Sequence, residues 1–128
     1  MPFGYYLKMT ELAKLQQVIV IRKDLTMRMG KIVAQAGHAI EGAIVGNLSD
    51  KRVKTWQKTG KTKICVYVES EEELLNIYQT ALSRGHIVNL VIDSGLTEFN
   101  GVPTKTCCAI GPATKEQLSD ITGHLKLL

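Results

Sequence analysis

The sequence predicts an α/β fold: a single-domain three-layer sandwich, with a four-stranded mixed β-sheet and helices on both of its faces. Three observations predict it. Short runs rich in Val and Ile, such as Gln17 to Arg22 (QVIVIR) and Ile87 to Ile92 (IVNLVI), have the length and composition of strands. Between the runs lie segments with apolar residues at helical spacing, so strands alternate with helices and the crossovers are right-handed. The third and fourth strands are joined by Ser94 to Pro103, a loop with no helical pattern, which makes the sheet mixed.

The totals agree with one domain. At 128 residues, 45% hydrophobic and 22% charged, the chain is long enough to bury a core without staples. No apolar run reaches the roughly 18 residues of a membrane span. The first residues lack the basic start and apolar centre of a secretory signal, so the expectation is a cytoplasmic protein away from membranes. The cysteines suit that location. Cys65 stands alone, and Cys107 and Cys108, adjacent in a strand, point to opposite faces, so buried thiols are expected rather than disulfides. A net charge of +4 is modest but compatible with a polyanionic partner such as RNA. Arg22, Lys23, Arg28 and Lys31 fall close together, opposed only by Asp24. Aromatic residues make up 5% of the chain and form no stacking platform, so any nucleic acid would be held by its backbone and shape.

In chain order, residues 1–17 read as an N-terminal extension, with Thr10 capping a short helix that carries Leu12, Leu15 and Val18. The domain proper is 18–128. Its first strand, Gln17 to Arg22, is apolar throughout and hence central in the sheet. Met27 to Gly46 follows as a helix. At roughly 100° per residue, Ile32, Ala36, Ala39, Ile40, Ala43 and Ile44 share one face, while Lys31, Gln35, His38 and Gly42 form a stripe nearly opposite. Asp50 to Thr59 is a short helix anchored by Trp56, and Thr62 to Val68 is the second strand. Ser70 followed by three glutamates is an N-cap with acids in the first turn; that helix runs to Arg84 and stops at Gly85. The third strand ends at Asp93. The fourth, Lys105 to Ile110, is broken by Gly111-Pro112, and Thr114 caps a last helix with Glu116 in its first turn.

Several chemistries are excluded. There is no P-loop, dinucleotide fingerprint, zinc-protease helix or nucleophile elbow. His38, His86 and His124 have no partners at ligand spacing, so no metal site is expected. In sheets of this kind the crevice lies at the carboxyl ends of the strands. Lys31, after the first strand, and Asp93, ending the third, therefore come to share one cleft. A polar stripe on a helix is most often its solvated face. Here the stripe lacks the Glu/Lys pairs of such a face and starts at a helix N-terminus, where free N–H groups favour an anion.

Gly30 to Ala39 reads G-K-x-x-x-Q-x-x-H-A, Ile92 to Thr97 reads I-D-S-G-L-T, Ala109 to Pro112 reads A-I-G-P, and the chain closes on T-G-H-L-K-L. These four motifs, in this order from Val18 to Leu128, resemble the archaeal and eukaryotic type of peptidyl-tRNA hydrolase. The resemblance implies hydrolysis of the ester between a peptide and the terminal ribose of tRNA, without metal or organic cofactor. It also implies a homodimer. It points to Lys31, Gln35, Asp93 and Thr97 as catalytic residues, with His38 supporting their geometry. Asp93, helped by Thr97, would orient or deprotonate the attacking water; Lys31 would stabilise the oxyanion or hold a phosphate; Gln35 would fix ester or water. Arg22, Lys23, Arg28 and Lys105 are the candidate tRNA contacts. Two positions depart from the family pattern. Leu96 stands where a basic residue is usual and Glu98 where Gln is usual, which should weaken phosphate binding by about 1–2 kcal/mol per missing charge-assisted bond. A non-catalytic module binding tRNA or a protein on the same fold is the alternative.

Overall fold

The computed structural model describes residues 14–128. The strands are β1 (Leu15–Arg22), β2 (Lys63–Val68), β3 (Val88–Asp93) and β4 (Thr104–Thr114). The helices are α1 (Met29–Val45), α2 (Lys51–Lys58), α3 (Glu71–Ser83) and α4 (Lys115–Thr122). The strands form one sheet in the order β2-β1-β4-β3, with β1 parallel to β2 and β4 antiparallel to both β1 and β3. The mixed α/β sheet expected from the sequence is therefore present, and it is open. Its strand directions bring the carboxyl ends of β1, β2 and β3 and the start of β4 to one edge.

Two apolar clusters fill the space on either side of the sheet. On one face Ile19, Ile21, Val91, Cys107 and Ala109 meet Ala39, Ala43 and Ile44 of α1 and Val53 and Trp56 of α2. On the other, Val18, Val20, Val66, Val68, Cys108 and Ile110 meet Leu74, Ile77 and Ala81 of α3 and Leu118 and Ile121 of α4. Strand alternation assigns each residue to its cluster, and it separates Cys107 from Cys108 as expected. The last residues also pair with the sheet: Tyr67 N donates to Lys126 O and Leu128 N to Cys65 O. That tail covers part of the free β2 edge, which would otherwise offer unpaired backbone groups.

The caps form as the sequence predicts. Ser70 Oγ accepts from Glu73 N at 3.1 Å, and Thr114 and Gln117 make a reciprocal capping box. Three boundaries and the orientation of one helix differ. The Thr10-capped helix lies outside the described residues, but Leu15 and Val18, assigned to it, belong to β1. The helix after β1 begins at Met29, because Met27 turns inward to the core behind a 3-10 turn at Lys23–Leu25. The buried face of α1 is also rotated from the expected one: Gln35 is only 3% exposed, so the polar stripe flanks the core rather than opposing it. Finally, β4 does not break at Gly111-Pro112 but runs on to Thr114. Its partner β1 shifts register between Gln16 and Val18, and such an irregularity accommodates a proline without an N–H. Gly111, at φ +103°, lies where a Cβ would meet Gln16 O at 2.7 Å.

Candidate active site

Lys31 stands in the first turn of α1, where a cation opposes the helix dipole and needs a counter-charge. Asp93, the last residue of β3, supplies it: Lys31 Nζ donates to Asp93 Oδ1 at 2.9 Å and to Thr97 Oγ1 at 3.2 Å. One turn further along α1, Gln35 Nε2 reaches the same Asp93 oxygen at 3.4 Å. Four residues singled out in the sequence, from a helix, a strand end and a loop, thus converge on one carboxylate. The Lys31 and Asp93 side chains are 15% and 12% exposed, so the pair is largely desolvated but still open to solvent.

The loop after β3 is folded around the same carboxylate. Gly95 N donates to Asp93 Oδ2 at 3.0 Å, and Gly95 O accepts from Gly101 N at 2.8 Å. Gly95 has φ +81°, and a Cβ there would lie 2.3 Å from Val102 O, so a side chain is excluded twice over. The Lys31 hydrogen bond, before all else, holds the Asp93 carboxyl below its ordinary value; the Gly95 N–H and Gln35 add to this, and burial opposes it.

Two participants escape a reading of the sequence. Gly95 contributes its backbone N–H, which no residue pattern shows. Thr106, fully buried, donates from Oγ1 to Gln35 Oε1 at 2.5 Å and so turns the amide NH2 of Gln35 toward Asp93. Simple alternation puts Thr106 on the same sheet face as Cys108. The register shifts here: Val91 pairs with Cys107 and Ile92 with Lys105, leaving Thr106 unpaired toward β3. This bulge aims Thr106 toward α1 along with Cys107, whose Sγ lies 3.4 Å from Gln35 O.

The remaining candidates are placed elsewhere. His38 is exposed, seven residues and about 10 Å along α1 from Lys31. Gly42, the last member of the stripe, is a packing position: a Cβ there would lie 2.1 Å from Asn89 Nδ2, which donates to the His38 and Ala39 carbonyls. Arg22 is bound on every side, with Nε and Nη2 on Asp24, Nη1 on Lys105 O, and Glu71 at 3.8 Å. Lys105 faces the same Glu71 at 4.0 Å. Lys23 lies over the Tyr67 ring at 4.4 Å, and Arg28 is exposed at the start of α1. Leu96 is 85% exposed next to Thr97.

Chemically, the cluster offers an ionised carboxylate, an ammonium with N–H capacity left over, a hydroxyl and a fixed amide. No thiol competes as nucleophile, since burial pushes Cys107 up to about 11, Cys108 further still, and Cys65 upward too. Among the described residues no three His, Cys, Asp or Glu side chains group as metal ligands. Nor is any helix among them long and apolar enough to cross a membrane. Such a set at the strand ends has the parts needed to orient a water and to meet a developing negative charge.

Comparison with known proteins makes this specific. Residues 15–128 match the family described as Peptidyl-tRNA hydrolase PTH2. The chain is 43% identical over 116 residues to a Methanocaldococcus jannaschii protein named peptidyl-tRNA hydrolase, covering 89% of this chain and all of that one. A Methanothermobacter thermautotrophicus protein of the same name is also 43% identical, over 114 residues, 89% of this chain and all of that one. A probable peptidyl-tRNA hydrolase 2 of Dictyostelium discoideum is 40% identical over 91% of this chain and 56% of its own length. The chain belongs to the peptidyl-tRNA hydrolase family.

Proposed function

We propose that this protein hydrolyses the ester joining a peptide, or an N-blocked amino acid, to the terminal ribose of tRNA, and that the Asp93 cluster is where it does so. The observation that carries the reading is the convergence of Lys31, Gln35 and Thr97 around the Asp93 carboxylate in a chain of this family. A water held by Asp93 attacks the ester carbonyl; the tetrahedral intermediate expels the ribose oxygen, which leaves as a hydroxyl with a proton from the water. The lowered proton affinity of Asp93 makes it a weak base, so it acts mainly by orienting the water. Thr97 accepts from Lys31 and keeps its own O–H to donate. The third N–H of Lys31 is directed at the developing oxyanion, Gln35 holds its amide where Thr106 fixes it, and His38 supports α1 from outside the reacting cluster. Arg28 and Lys23 are the strand-end cations left to meet phosphate, with Lys105 at their margin.

The reading extends to a cytoplasmic homodimer. The three free cysteines suit a reducing compartment, and the exposed Met29 and Val33 on α1 give apolar surface to a second copy. Sedimentation would show the oligomer.

The test of activity is release of the acyl group from N-acetylated aminoacyl-tRNA in EDTA, by wild type and by Asp93→Asn. Cleavage by the wild type and its loss in the variant are expected. A folded wild type that binds this tRNA without cleaving it would overturn the reading.

A further inference from the structure

Between Lys51 and Lys63 the chain has six basic residues and no acidic one. Arg52 is engaged, since its guanidinium binds Asp50 and donates to Gly85 O. The other five are lysines, all exposed, and among the described residues none is paired with a carboxylate. Their arrangement is directional. α2 buries Val53 and Trp56, and at 100° per residue Lys51, Lys54 and Lys58 fall within about 60° of one another on the opposite side. Lys61 and Lys63 extend the row toward β2, with Lys63 Nζ 5.1 Å from the centre of the Trp56 ring. Like charges at such spacing repel each other.

The row lies on the same sheet face as the Asp93 cluster but at the other end of it. Arg52 donates to Gly85 O, just before β3, and Trp56 Nε1 to Thr62 O, just before β2, so α2 is tied to the amino ends of those strands. α1, with Lys31 in its first turn, separates the two places by its length of about 25 Å. In an acylated tRNA the ester sits on the single-stranded end and the duplex stem follows it. A surface one helix length away from the ester site meets the stem.

We infer that the lysine row of α2 and the start of β2 is a second docking surface, holding the phosphate backbone of the tRNA stem while the ester lies at Asp93. The inference rests on the hydrolase reading above for the identity of the RNA. Exposed ammonium groups without carboxylate partners suit a duplex recognised by backbone and shape, and the absence of acids from this segment keeps their field undiminished. By contrast, in the basic group at residues 22–31 Arg22 is neutralised by Asp24 and Glu71, and Lys31 is paired with Asp93.

The experiment compares wild type with the triple variant Lys51→Gln, Lys54→Gln, Lys58→Gln on two substrates. One is an N-acetylated aminoacyl-tRNA; the other is the same acyl group on a short 3′-terminal oligonucleotide without the stem. The expected result is a KM about tenfold higher for the whole tRNA, an unchanged kcat, and an unchanged KM for the oligonucleotide. The slope of log affinity against log salt should shrink by about 0.9 for each phosphate that is no longer neutralised. Arginine at the same three positions should restore both quantities, which a merely structural role would not predict. Unaltered KM and salt slope, or equal rises on both substrates, would overturn the inference. A wild type that cleaves neither substrate counts against the hydrolase reading, and direct tRNA binding by the two proteins then decides on the row separately.

Discussion

Lys31–Asp93 and Arg22–Asp24 are both short ion pairs at the carboxyl ends of strands, at 2.9 and 2.7 Å. Arg22 meets an acid two residues away, gives a further hydrogen bond to the Lys105 carbonyl, and has Glu71 at 3.8 Å as a second carboxylate. It pins the 3-10 turn after β1 against β4 and has little left to offer a ligand. Lys31 joins residues 62 and 66 positions away in the chain, and one of its three N–H groups has no hydrogen-bond acceptor among the described residues, with the Phe99 ring 5.9 Å from Nζ. The difference is one of neutralisation: two carboxylates lie within 4 Å of Arg22 and one within 4 Å of Lys31. A basic residue near a strand end is available for chemistry only to the extent that its neighbours leave it unsatisfied.

The sharpest break of this comparison is Asp93→Asn, which keeps the shape and removes the charge. Turnover should fall by about 10²- to 10⁴-fold, measured by acyl release, with the fold retained by circular dichroism. Lys31→Ala should come next, costing roughly tenfold or more in kcat and about 1.5–3 kcal/mol of stability by leaving a buried carboxylate without its cation. It also carries a pH signature. In the native protein the Asp93 value lies below the ordinary 3.8, so the pair's stabilisation is complete above that value and is lost as pH falls through the lower, folded one. Wild-type activity should therefore show no Asp93 limb between about pH 5 and 7, whereas in Lys31→Ala the acid limb should move upward.

Thr106→Val should lower kcat severalfold with little change in KM and destabilise by about 1–3 kcal/mol, because the buried Gln35 oxygen loses its donor. Thr106→Ser should recover both in the same assays. On the other side of the comparison, Arg22→Ala should cost about 1 kcal/mol in chemical denaturation while leaving the salt slope of tRNA binding at its wild-type value. A slope that fell would mean that Arg22 meets phosphate after all. The smallest effect is a gain: Leu96→Arg, at an exposed position beside Thr97, should lower KM for the tRNA substrate about twofold to fivefold at low salt.

The strands, the caps and the convergence of Lys31 with Asp93 were legible because each follows from a local rule or from topology. QVIVIR can only be a buried strand, Ser-Glu-Glu-Glu starts a helix, and parallel strands must bring their carboxyl ends together. Thr106 was hidden because a bulge between β3 and β4 reverses its face, and bulges arise from pairing between distant segments. The burial of Gln35 was hidden for a related reason. The periodicity of α1 gives the relative angles of its side chains, but packing against β3 and β4 sets the helix's rotation about its axis.

By itself, then, the sequence determined the fold class, the order of elements and the meeting of Lys31 with Asp93, since these depend on spacing, capping and chain direction; the family resemblance of its motifs added Gln35 and Thr97. The tertiary structure alone decided which charges remain free. Arg22 and Lys105 come within about 4 Å of Glu71, Lys31 is paired with Asp93, and the α2 lysines have no carboxylate partner among the described residues. The reason is that neutralisation depends on which side chains the fold brings within about 4 Å of one another.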